Sequence, residues 1–289
     1  MSKENAVPVM RLGLIGDNIA RSQSPRLHVE AGRLCGIEVT YERLIPRDLD
    51  LPFGSVFERC VDQGFRGINV TYPYKEEVVA RLRVPDPTTA AVGACNTVLF
   101  SDGQPEGHNT DYSGFMAAFR ATFGSVSPGR VAMAGAGGVG KAVAFGLGKL
   151  QASELRIFDH DDAKARRLAA SVAAAGSAMN VTVAPTIDDA TQGADGLVNC
   201  TPLGMTGYSG SAIPKHLMKG AAWAFDAVYT PVETELLVDA ASAGLQIMSG
   251  YELFFHQGID AFSLFTGLEV DAAALRQALA SGNLEKADP

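Results

Sequence analysis

The chain has 289 residues, enough for about two domains at roughly 150 residues each. Hydrophobic residues make up 47%, with Gly 31 and Pro 14, a globular composition that excludes disordered and fibrous classes. The balance of 24 basic against 32 acidic residues gives a formal net charge of −8, without any polybasic cluster. That excludes a typical nucleic-acid binder and attachment to an anionic membrane.

The predicted elements alternate between short β-branched runs and helical patterns. Residues 9–15 read as a strand. Residues 25–35 read as a helix, with Ser24 as N-cap and Pro25 in the first turn. A strand at 39–45, a helix at 52–63, a strand at 65–71, a helix at 74–82 and a strand at 96–101 follow. After the helix 112–123 comes a second series. Its strands are 130–134, 155–158, 181–184, 196–199, 223–227 and 246–249, and its helices 139–150, 161–174, 187–192 and 232–243. Helices at 251–265 and 272–280 close the chain, and 283–289 reads as a frayed tail. This alternation predicts an α/β architecture with mostly parallel sheets.

The four cysteines (Cys35, Cys60, Cys95, Cys200) are far apart and form no C-x-x-C pair. They read as isolated thiols, consistent with a reducing cytoplasm, the expected location. The five histidines show no zinc-ligand spacing, so no metal is expected. The N-terminus lacks a signal-peptide core, and no uncharged apolar run reaches the roughly 18–20 residues that span a bilayer.

Gly135-Ala136-Gly137-Gly138-Val139-Gly140 is a G-x-G-x-x-G turn between a predicted strand and a predicted helix. Gly135 permits the tight turn, Gly137 lets backbone approach a pyrophosphate, and Gly140 lets the helix pack on the strand. The helix start, at Gly138 and Val139, offers unpaired N–H groups to phosphate. Asp159 ends the next strand, 24 positions beyond Gly135. A carboxylate there accepts hydrogen bonds from the ribose hydroxyls of NAD and repels the 2′-phosphate of NADP. NAD is therefore expected over NADP. Asp159 also reads as a helix N-cap.

Three polar clusters end first-half strands, where α/β sheets bind ligands. Ser22-Gln23-Ser24-Pro25 offers two hydroxyls beside a helix start, suited to a carboxylate or to plain capping. In 67–75, Thr71 ends a strand and Lys75 falls in the first turn of a predicted helix. The local dipole there slightly favours a neutral amine, although a lone Lys is ordinarily a solvated surface residue. Asn96-Thr97 and Asn109-Thr110-Asp111 form the third, with Asp111 also readable as an N-cap.

Together these motifs resemble the shikimate/quinate dehydrogenase family over essentially the whole chain. The resemblance runs through Ser22-x-Ser24-Pro25, Asn69-Val70-Thr71-x-Pro73-x-Lys75, Gly93-Ala94-x-Asn96-Thr97, Gly107-x-Asn109-Thr110-Asp111 and the glycine turn. It continues through Asn199-x-Thr201-Pro202-x-Gly204-Met205, Asp226-x-x-Tyr229-x-Pro231-x-x-Thr234-x-Leu236 and Gln257-x-x-x-Ala261-Phe262. It implies a substrate-binding and catalytic α/β domain at 1–111, completed by 251–289. A doubly wound, Rossmann-type NAD domain at 112–250 lies between, with both ligands in the cleft. Carried over, Ser22 and Ser24 bind the substrate carboxylate, and Thr71, Asn96, Asp111 and Gln257 the ring hydroxyls. Lys75 and Asp111 form the catalytic pair. Thr201, Met205, Tyr229 and Gly250 line the nicotinamide end.

The sequence departs from the commonest family pattern at Asn18, Arg21 and Val29. It also carries Asp159-His160 where the NADP type has Asn-Arg-Thr/Ser. The last departure looks like the branch that uses NAD and accepts quinate, shikimate or both. The reaction implied is reversible oxidation of shikimate to 3-dehydroshikimate, with quinate to 3-dehydroquinate as a second reaction, and with primary quinate dehydrogenation as the alternative. Its partner is a small hydroxylated cyclohexane or cyclohexene carboxylate, and the chain is a monomer or homodimer. A metabolite-sensing protein without turnover is the competitor from another class. Retention of Lys75, Asp111 and the full polar set argues against it. The paired serines and Gln257 argue against a folate dehydrogenase on a related plan.

Overall fold

The computed structural model describes residues 9–101 and 103–281; the tail at 283–289 lies outside them. The chain divides into two compact units. The first holds the chain through Asp86, Cys95–Thr110 and the stretch from Gly258; the second holds Pro87–Ala94 and Asp111–Gln257. Relative to the expected division, residues 87–94, 111 and 251–257 group with the second unit.

In chain order the elements begin with β1 (Met10–Ile15), α1 (Ser24–Leu34), β2 (Val39–Leu44), α2 (Phe53–Asp62), β3 (Gly67–Val70) and a 3₁₀ turn at Glu77–Arg81. Then come α3 (Pro87–Val92), β4 (Thr97–Leu99), β5 (Glu106–His108) and α4 (Thr110–Phe123). The first sheet runs β2-β1-β3-β4-β5, parallel through its first three strands and antiparallel at β4 and β5. Val56, Phe57, Phe65, Ile68, Val70 and Val98 fill a core on it.

The expected α-helix at 74–82 is instead a turn followed by 3₁₀ structure. Val78 N–H makes one i to i−4 bond to Tyr74 O at 3.0 Å, but the Lys75 carbonyl is taken by Cys95 N–H at 2.8 Å, Val79 N–H turns to Glu76 at 3.3 Å, and the ladder does not continue. Lys75 therefore sits in a turn, not in a helical first turn, and the dipole argument does not apply to it. Short α3 and β5 were not expected from sequence. Their six and three residues are too few for either hydrophobic period to show.

The second series is β6 (Arg130–Ala134), α5 (Gly138–Lys149), β7 (Glu154–Phe158), α6 (Asp162–Ala174), β8 (Asn180–Val183), α7 (Ile187–Thr191) and β9 (Gly196–Asn199). After it come β10 (Trp223–Asp226), α8 (Glu235–Ser242), β11 (Gln246–Met248), α9 (Gly250–Thr266) and α10 (Ala272–Ser281). The sheet order is β11-β10-β9-β6-β7-β8, all parallel. This is the doubly wound order, with its reversal of direction between β6 and β9. Alternate residues feed two cores. Val131, Met133, Trp223 and Phe225 face an aromatic layer with Phe115 and Phe119, while Ala132, Ala134, Leu197 and Ala224 face the other side. Burying each large side chain contributes about 1.5–3 kcal/mol. Gly196 leaves room for Trp223, whose ring lies 2.1 Å from where a Cβ would stand. Among the described residues no helix is long and apolar enough to cross a membrane.

Candidate active site

The nucleotide end follows from the crossover. Gly135 takes φ +100, and a Cβ there would stand 2.7 Å from the Cys200 backbone. Gly140 lets α5 close on the turn, since a Cβ would lie 2.4 Å from the Gly135 carbonyl oxygen. Gly137 is the N-cap and faces open space. Gly138 and Val139 open α5, where N–H groups have no intrahelical partner. Asp159 is half-buried beside them. Its Oδ2 accepts the Ala136 N–H at 2.7 Å and its Oδ1 the Asp161 N–H at 2.9 Å. The cap of α6 is Asp161, which accepts from Lys164 N–H, so Asp159 is not the N-cap. Two backbone bonds leave a carboxylate with spare acceptor sites. Arg166 and Arg167 are exposed, and Arg166 pairs with Asp162 at 2.6 Å.

Beyond β9 and β10, one buried carboxylate ties the loops together. Asp226 accepts from Asn199 Nδ2 (2.9 Å), Val228 N–H (3.0 Å) and Thr234 Oγ1 (2.6 Å). Asn199 Oδ1 accepts in turn from the Thr201 N–H (2.9 Å) and hydroxyl (2.7 Å). Met205 lies in the following turn, and Thr206 N–H donates to Thr230 O at 3.0 Å, bridging the two loops. Tyr229 stacks on Phe254 of α9 with centroids 5.0 Å apart. Gly250 starts α9 beneath the Ala227 and Val228 carbonyls, where a Cβ would come within 2.5 Å of the first. Gln257 Nε2 donates to Phe254 O at 3.0 Å. Asp111 is buried in the first turn of α4. Burial pushes the Cys200 thiol up, and the charges of Asp226 and Asp111 add to that push. Asp111 therefore lies within electrostatic reach of the end of β9.

In the first unit, Ser22 and Ser24 are both buried and their hydroxyls bond at 3.1 Å. Ser24 does not cap α1. It is the first helical residue, and its N–H donates to Ser22 Oγ at 3.2 Å. Asn69 is the polar residue in an otherwise apolar, fully buried strand. Its Nδ2 donates to Asn96 O (3.1 Å) and Thr97 Oγ1 (3.0 Å), and its Oδ1 accepts from Tyr41 at 2.8 Å. Asn96 Oδ1 accepts the Thr110 N–H at 2.7 Å, fixing the residue before Asp111. Thr71 donates its N–H to Ile15 O at 2.9 Å and starts the turn that carries half-buried Lys75. His28, stacked on Tyr41 at 4.8 Å, is lowered to about 3 by burial, against a raising hydrogen bond with Asn69. It is neutral at ordinary pH.

Sequence reading named Asn69 only inside a motif and passed over Tyr41 and Arg43. An amide inside an apolar strand was the available signal for Asn69. Arg43 had none, since only the pairing of β1 with β2 brings its guanidinium to Ser22 O, at 2.8 Å.

Residues 14–98 match the family model described as the shikimate dehydrogenase substrate binding domain. A quinate/shikimate dehydrogenase (NAD(+)) of Corynebacterium efficiens is 36% identical over 92% of this chain and 95% of its own. The chain belongs to the shikimate/quinate dehydrogenase family. It is thus an oxidoreductase on a Rossmann-type nucleotide-binding fold. Family relatives carry both cofactor names: the shikimate dehydrogenase (NADP(+)) of Arthrobacter sp. (strain FB24) is also 36% identical, over 92% of each chain. Among solved family structures, quinate dehydrogenase from Corynebacterium glutamicum in complex with NAD aligns with TM-score 0.86 and 35% identity. It covers 94% of this chain and 99% of that one.

Proposed function

We propose that the protein catalyses the NAD-dependent, reversible oxidation of shikimate to 3-dehydroshikimate, and of quinate to 3-dehydroquinate as a second reaction. The observation that carries the cofactor reading is Asp159, whose carboxylate is docked on the glycine turn by the Ala136 N–H. An anion there accepts ribose hydroxyls and repels a 2′-phosphate, and the nearby Arg166 is committed to Asp162. The naming of both NAD and NADP relatives makes this a property to be measured in this chain.

When bound, NAD supplies the hydride acceptor. The chain's residues do the rest. Ser22 and Ser24 hold the carboxylate, and Thr71, Asn96 and Gln257 orient the ring hydroxyls. Lys75 Nζ takes the hydroxyl proton as the ring C–H hydride departs, and Asp111, the carboxylate of the pair, accepts a hydrogen bond from a neighbouring ring hydroxyl. In reduction the protonated amine returns the proton. Shikimate is favoured because Ser24 and Thr71 are small hydroxyl residues, while quinate brings an added hydroxyl at its carboxylate-bearing carbon.

Steady-state kinetics with each acid and each nucleotide tests this directly. NAD should give the higher kcat/KM, and shikimate should exceed quinate; a higher kcat/KM with NADP overturns the cofactor assignment. Lys75→Ala should lower kcat by about 10²–10⁴-fold with KM little changed. Near-normal turnover in that variant removes Lys75 from the acid–base role.

A further inference from the structure

The serine pair has one donor more than the protein uses. The Ser24 N–H donates to Ser22 Oγ, and the two hydroxyls share one bond. Whichever hydroxyl donates in that bond, the hydrogen of the other has no acceptor among the described residues. Both side chains are more than nine-tenths buried, at 7% and 8% exposure. A leftover buried O–H calls for an acceptor from beyond the described residues, such as a bound ligand. Two neutral hydroxyls supply direction but no charge, and the chain as a whole is anionic at −8.

Arg43, an exposed residue of β2, stands beside them. The parallel register sets Leu14 opposite Arg43 near the end of β1, and the loop after that strand leads to Ser22. Arg43 Nη2 donates to the Ser22 carbonyl at 2.8 Å. One of its five N–H groups is spent there, and among the described residues no carboxylate pairs with it. Bond lengths alone keep Nη2 within about 7 Å of the Ser22 hydroxyl oxygen. Resting on the function proposed above, we infer that Arg43 is a specificity-determining residue. Its guanidinium supplies the positive charge that the serine pair lacks and makes the site select a carboxylate over a neutral group of the same shape.

At such a distance a full charge changes anion affinity by roughly 3-fold in a water-like medium and 60-fold in a partly buried one. About tenfold is expected. The experiment uses the full chain with shikimate and its neutral methyl ester, comparing wild type with Arg43→Gln, Arg43→Lys and Arg21→Gln. For Arg43→Gln, KM and calorimetric Kd for the acid should rise about tenfold, with kcat within twofold. Values for the ester, the NAD affinity and the melting temperature should hold. Arg43→Lys, which keeps the charge, should recover most of the loss. Equal losses for acid and ester would mean that Arg43 only props up the Ser22 loop, and that overturns the inference. So does an unchanged acid-to-ester ratio, or a ratio that responds to Arg21 instead. Each of these results leaves wild-type shikimate turnover intact, and with it the proposed function. A wild-type chain that neither oxidises nor binds the acid overturns both.

Discussion

Asp226 has no exposed surface, yet it anchors the loops after β9 and β10. Burial raises its pKa to about 6, and the bonds from Thr234, Val228 and Asn199 only partly offset that. The unfolded carboxyl titrates near 3.9. The folded chain therefore holds this proton more tightly than the unfolded chain between about pH 4 and 6. The stability it contributes is full below about pH 4 and is lost as pH rises through 6, by up to about 3 kcal/mol at 1.36 per unit. Asp226→Asn keeps an acceptor for Asn199 and Val228 and removes the titration. Its unfolding free energy relative to wild type, from urea melts, should climb by about 2–3 kcal/mol between pH 4 and pH 7. A difference that stays flat across that range contradicts the buried-charge account. Asp226 and Thr234 are both visible in sequence as one spaced motif. That they meet, and through Asn199 reach Thr201, is a matter of the parallel pairing of β9 and β10, which spacing does not reveal.

Among the elements, the glycine turn was the most legible part of the site, because its function constrains backbone and so leaves glycines in the sequence. The structure separates their roles. Gly140 meets immovable backbone, the Gly135 carbonyl oxygen, at 2.4 Å, whereas Gly137 meets nothing and holds an ordinary φ of −78. Gly140→Ala should therefore lower both thermal stability, by roughly 1–3 kcal/mol, and NAD affinity. Gly137→Ala should fold as the wild type does but bind NAD at least tenfold more weakly, since only the approach of pyrophosphate is obstructed. Thermal melts and NAD titrations of the two variants check this, and a stability loss at Gly137 matching that at Gly140 contradicts it. The turn at 72–76 was least legible. Its helical pattern was real, but Lys75 O bonds to Cys95 N–H, twenty residues away, and a local period carries no trace of such a partner. Capping failed in the same way. Ser24, read as a cap, has its hydroxyl in a side-chain pair, and the cap of α6 fell to Asp161, two residues beyond the acid that sequence singled out.

For the whole molecule, the two compact units each own a sheet: β1–β5 in one and β6–β11 in the other. Each sheet has its own hydrophobic core. Most of the proposed ligand contacts divide in the same way. The glycine turn and Asp159 belong to the second unit and the serine pair, Thr71, Lys75 and Asn96 to the first, while Asp111 and Gln257, proposed for the substrate, fall in the second. Ligand binding stabilises the state that holds it by mass action, by about 2.7 kcal/mol at a hundredfold excess over Kd. Hydrogen exchange with NAD alone should slow at 134–141 and 157–161, where amides face phosphate and ribose, and leave 10–15, 39–44 and 67–70 as they were. Shikimate alone should slow exchange at 22–27, 69–75 and 95–98 and leave the glycine turn unchanged. If NAD protects the serine segment, or shikimate the glycine turn, the assignment of the glycine turn to NAD and of the serine segment to the acid is wrong, and the reading of Asp159 and Ser22 as separate recognition points goes with it.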